Sequence, residues 1–152
     1  MTDWPRIRSV GLSGLSITFA EKMSEPANRA ALAFRAAVEE QDWPEVRETS
    51  TSLVSTFVQF EVSQAAITTM TDRLQGLLET RDWFAEALPA GRSLWHVPTV
   101  YGTDLAPQLE EAAEAAGLDP DAAIAELSQA RVRVLTIGFA PGQPYMGELA
   151  PH

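Results

Sequence analysis

Few side chains in this sequence could act together as acid, base or nucleophile. The 152 residues contain two histidines, His96 and His152, and no cysteine, which excludes disulfides, thiolate nucleophiles and cysteine metal sites. His96 lies between Trp95 and Val97, with no second member of a catalytic triad evident in the sequence. A lone histidine of this kind is more often a polar contact on a sheet face than a base. We therefore assign no catalytic residue and no metal ligand.

Two further patterns have structural explanations. Glu110, Glu111 and Glu114 fall on one predicted helix, where adjacent glutamates point in different directions and form a solvated surface. The segment from Gly11 to Gly14 lacks the lysine and the spacing of a phosphate-binding loop, and it does not lead into a helix. We interpret it as a hairpin turn.

The most distinctive segment is residues 137–149, where an apolar run leads into a loop rich in glycine and proline. Glycine permits a positive φ or a close backbone approach, whereas proline fixes φ, so the loop is predicted to be rigid. One interpretation is a structural turn. The other is a pocket wall that offers aromatic surface and backbone N–H groups. The candidate pocket-lining residues are Gly138, Phe139, Pro141, Gly142, Pro144 and Tyr145.

Charge and composition narrow the class of protein. The formal net charge is −10, and only one of the 11 basic residues is a lysine. This balance argues against nucleic-acid binding, which depends on neutralising phosphates with Lys and Arg. The apolar fraction of 45% suits a globular protein, and no apolar run approaches the ~20 residues that span a bilayer. With no recognisable secretory signal, a cytoplasmic protein is predicted.

The first half of the sequence predicts an antiparallel sheet with two helices, as a domain of residues 1–80. Alternating apolar residues indicate two strands within residues 6–19 and one or two more within residues 46–60. Ser24 is a predicted N-cap and Ser63 another. The first helix should bury Ala27, Ala31, Phe34 and Val38, and the second Ile67, Met70, Leu74, Leu77 and Leu78.

After a predicted linker at residues 81–92, a new series of predicted strands and helices begins. It forms a second part of the chain, residues 93–152. Strands are expected at residues 94–100 and 131–139, with two helices between them. The first helix is predicted to be capped by Asp104 and closed by Gly117, and the second to start at Asp119-Pro120. The residues expected to face inward are Leu105, Leu109, Ala112, Ala116, Ala123, Ile124 and Leu127.

Two stretches resemble the allophanate hydrolase subunit 1 family. Residues 97–102 with 105–110 are similar to its "PV-YGG---GPDLE" segment, and residues 137–147 to its longer "GF-PGFPYLGG" signature. The family includes the B subunit of bacterial ATP-dependent 5-oxoprolinase and the kinase inhibitor KipI. The resemblance implies an α+β fold in which residues 93–152 form an incomplete cyclophilin-like β segment with two helices.

The resemblance also implies a function. The chain would be a subunit of an ATP-dependent amide-hydrolysing complex of the 5-oxoprolinase or allophanate hydrolase type, acting with a related carboxyltransferase-like partner subunit and not active alone. ATP would belong to the complex, and no cofactor is assigned to this chain. The alternative is a KipI-like inhibitor that binds a sensor histidine kinase.

The sequence departs from the family at several positions. Gln143 and Glu148 stand where members usually have an aromatic residue and a glycine, and Leu12, Leu127 and Val132 replace other common family residues. Members also continue for many residues past the signature. The chain is therefore expected to be a fragment, to pack its second domain differently, or to be completed by another chain. Residues 131–139 are expected to pair with another molecule or to be covered by the helices within residues 105–128.

Overall fold

The chain folds as two compact units, Met1–Arg92 and Ser93–His152. Each unit contains its own β-sheet. The computed structural model describes residues 4–61, 66–138, 140–147 and 149.

The first unit is built on a four-stranded antiparallel sheet with the order β1-β2-β4-β3. Leu15 lies opposite Val58 and Ile17 opposite Thr56, and all four side chains are buried on one face. Gly11, with a φ of +62°, makes the expected hairpin turn between the first two strands. The strands are β1 (Arg6–Val10), β2 (Gly14–Thr18), β3 (Val46–Thr51) and β4 (Ser55–Phe60).

Helix α1 (Glu25–Glu40) contributes most of the core residues that the helices supply to this unit. It begins as predicted, because the Ser24 hydroxyl accepts a hydrogen bond from the Ala27 amide at 3.4 Å. Its predicted face is confirmed: Ala27, Ala31, Phe34 and Val38 are all buried. Full burial of a side chain such as Phe34 or Val38 stabilises a fold by about 1.5–3 kcal/mol, so these two residues anchor the helix.

Helix α2 (Ala66–Leu78) supplies the second apolar stripe. Ile67 is partly buried, and the buried members are those expected from the sequence: Met70, Leu74, Leu77 and Leu78. Ser63, the predicted cap, lies outside the described residues.

Trp83 joins the same core from beyond α2. Its indole N–H donates to the Leu78 carbonyl at 2.9 Å, and its ring meets Phe34 edge-on at 4.9 Å between centroids. Phe84 packs similarly against Phe19, at 6.1 Å. This part of residues 81–92, which we expected to be a linker, therefore packs on the first unit.

The second unit contains helices α3 (Leu109–Ala115) and α4 (Pro120–Gln129). The predicted start of α4 is confirmed, because the Asp119 carboxylate accepts from the Ala122 amide at 2.9 Å. Gly117, with a φ of +71°, follows α3 as predicted.

The predicted start and face of α3 are wrong. Asp104 does not cap the helix. The first helical residue is Leu109, and the N-cap is Gln108. Pro107 explains the shift, since the residue before a proline avoids helical backbone angles. The buried residue of the helix is Ala113, whereas Ala112 and Ala116 are exposed.

The two strands expected in the second unit also differ from the structure. Residues 94–100 form no strand, and only β5 (Val134–Ile137) remains of the strand expected at residues 131–139. We expected that strand to pair with another molecule or to lie under the helices. In this single chain β5 pairs antiparallel with β6 (Pro144–Met146), and Val134 and Ile137 are exposed. Pairing with another molecule stays a prediction.

The α+β class predicted from the sequence is confirmed. An antiparallel sheet with two helices comes first, followed by two helices and a small sheet. None of the helices within the described residues is long and apolar enough to cross a membrane.

Candidate functional site

A tight turn joins β5 to β6 at the centre of the distinctive loop. The Gln143 amide donates to the Ala140 carbonyl at 3.0 Å, and the Gly138 amide donates to the Gln143 carbonyl at 3.2 Å. Pro141 and Gly142 are the central residues, and Gly142 has a φ of +77°. Proline followed by a glycine of positive φ is the signature of a type II turn. The loop is therefore held by its own backbone.

The predicted pocket-lining residues that the structure describes all lie on the β5–β6 hairpin. Pro141, Gly142, Pro144 and Tyr145 are exposed, and Gly138 is half-buried. Phe139 lies outside the described residues. The exposed phenol ring of Tyr145 and the prolines are available for contact with a ligand or another polypeptide.

An open groove of about 560 Å³ lies elsewhere in the second unit. It combines small apolar surface from α4 with the carboxylate of Glu126, the amide of Gln129 and the guanidinium of Arg131. None of the loop candidates lines it. Its complete lining is Ala122, Ala125, Glu126, Gln129, Ala130, Arg131, Val132 and Leu149.

None of the sequence patterns described above predicts this groove. The available signal was the pair Ala122 and Ala125, since alanines three residues apart on a helix leave space above one face. The size lies within the range of small-molecule sites, and the lining offers both a carboxylate and a guanidinium. The groove is open to solvent along much of its surface, and no ligand is assigned to it.

The titratable side chains of the described residues form ion pairs but no metal-type cluster. Among those residues, no three His, Cys, Asp or Glu side chains are grouped as a metal site would require. His96 is exposed. The pKa of Glu45 is lowered, first by its own backbone N–H and then by Arg73, which donates to it at 3.0 Å. This pair lies in the first unit and links Glu45, just before β3, to α2.

An apolar surface is the most unusual feature of the second unit. Leu94, Trp95, Val97 and Val100 are all exposed, Trp95 by 82%. Residues 87–102 form no backbone–backbone hydrogen bond with any other described residue. Such surface commonly marks a protein interaction site.

Comparison with known proteins decides the family. The sequence model of the carboxyltransferase domain, subdomain C and D, matches residues 5–152. The chain belongs to this family.

This carboxyltransferase-family chain is similar to the B subunit of 5-oxoprolinase from Bacillus subtilis (strain 168). The two are 30% identical over 157 aligned positions, covering 99% of this chain and 65% of that protein. The chain thus spans less than two thirds of the length of that relative.

Solved structures give the same fold for this family member. It superposes on the crystal structure of TTHA0988 in space group P212121 with a TM-score of 0.64 and 25% identity, covering 96% of this chain and 26% of that one. A second crystal form, P6522, gives a TM-score of 0.64 and 26% identity over 91% of this chain and 25% of that one.

Proposed function

We propose that this chain is a non-catalytic or half-site subunit of an ATP-dependent amide-hydrolysing complex of the 5-oxoprolinase type. The observation that carries the proposal is its likeness to the B subunit of 5-oxoprolinase along 99% of its length. The match to the carboxyltransferase domain over residues 5–152 supports the same assignment. A complex of this kind would work in the cytoplasm, where ATP is available.

The exposed apolar surface agrees with a chain that needs a partner. The second unit exposes Leu94, Trp95, Val97 and Val100, which a partner subunit would cover. The other subunits of the complex would supply the catalytic groups and the ATP site. This chain would contribute shape and backbone donors.

The hairpin loop is the part of this chain that we assign to the shared pocket. Gly138, Pro141, Gly142, Pro144 and Tyr145 lie together on it. Pro141, Gly142, Pro144 and Tyr145 are exposed, so they could meet a substrate or the partner subunit. Phe139 belongs to the same proposal from its position in the sequence.

Gln143 shows how the loop can differ from the family without losing its shape. Its backbone amide and carbonyl make both hydrogen bonds of the turn, with Ala140 and Gly138. The side chain is not needed for this geometry. Replacement of the usual aromatic residue therefore changes the surface offered to a ligand while the turn persists.

Binding to the partner tests the proposal. The full chain would be co-expressed with an affinity-tagged carboxyltransferase-like subunit from the same organism, and the complex would be analysed by size exclusion with light scattering. We expect a stoichiometric complex. No complex, together with inhibition of a histidine kinase's autophosphorylation by this chain, would instead favour a KipI-like regulator.

A matched pair of variants tests the loop. Tyr145→Ala removes an exposed ring from the hairpin, and Leu12→Ala removes an exposed apolar side chain from the β1–β2 turn of the first unit. If the loop lines the shared pocket, Tyr145→Ala lowers the activity of the assembled complex at least tenfold and Leu12→Ala leaves it unchanged. Equal activity of both variants would remove Tyr145 from the site.

A further inference from the structure

We draw no further inference here: the strongest candidate, the surface patch on the four-stranded sheet of the first unit where Arg8, Ser16, Phe57 and Ser50 lie side by side on the face opposite the buried core, carries none because nothing in the structure shows what covers it.

Discussion

The ring of Phe57 lies over Gly14 across the β2–β4 pairing. A Cβ at Gly14 would come within 2.5 Å of Phe57 Cε2 and 2.9 Å of the Val10 carbonyl oxygen. A ring can move, but the backbone of β1 cannot easily yield, because it is hydrogen-bonded to β2. Glycine at this position is therefore required by packing.

We expect Gly14→Ala to lower the free energy of unfolding by about 1–3 kcal/mol, the usual cost of overpacking. Urea denaturation followed by circular dichroism measures it. Gly76→Ala is the control, because Gly76 lies inside α2 and a Cβ there would meet only open space. This change should raise stability by about 1 kcal/mol. An unchanged free energy of unfolding in Gly14→Ala would contradict the close packing of Phe57 and Val10 on Gly14.

Thr56 attaches the sheet to α1 from within the core. Its buried hydroxyl donates to the Ala31 carbonyl at 2.7 Å. Thr56→Val keeps the shape and removes the donor, so we expect a loss of about 0.5–1.5 kcal/mol in denaturant unfolding. Thr18→Val, at a half-exposed position of β2, should change stability by less than about 0.5 kcal/mol. Equal effects of the two variants would exclude a special role for this bond.

Gly142 sets the geometry of the loop turn. Its φ of +77° is unfavourable for a residue with a Cβ, by about 1–2 kcal/mol, although no atom would obstruct that Cβ. We expect Gly142→Ala to speed amide hydrogen exchange at Gly138 and Gln143 roughly tenfold. Gly142→Asn should have a smaller effect, since asparagine tolerates this position of a type II turn. Unchanged exchange in both variants would mean that the turn is not held in this way.

Glu45 should make the free energy of unfolding depend on pH in the acid range. Its folded pKa is lowered, so its stabilising contribution is fully present above the unfolded pKa and is lost as pH falls through the folded pKa. We expect Glu45→Gln to be less stable than the natural chain at pH 7 and equally stable near pH 2. Urea midpoints at the two pH values measure this, and a difference that persists at pH 2 would contradict the assignment.

Local signals were enough to predict the first unit. Ser24 as a cap and the stripe of Ala27, Ala31, Phe34 and Val38 depend on residues close in sequence, and both are confirmed. The same holds for Asp119 at the start of α4. Elements whose stability comes from neighbours along the chain can be identified without knowing the rest of the fold.

The second unit was harder to predict because its strands depend on partners. Residues 94–100 have strand-like composition, yet a strand requires hydrogen bonds from another segment, and none of the described residues supplies them. The role of the loop residues as a pocket wall stays a prediction. The turn around Pro141 and Gly142 follows from residue type, whereas the groove beside α4 depends on how Val132 and Leu149 pack, which no local pattern indicates.

The most direct test of the proposed function is 5-oxoproline-dependent ATP hydrolysis by the reconstituted complex. The remaining subunits would be assayed with and without this chain, with phosphate and glutamate measured together. We predict that both products appear at equal rates and that the rate saturates at a stoichiometric amount of this chain. Full turnover by the other subunits alone, or no turnover when a stable complex with this chain has formed, would contradict the account.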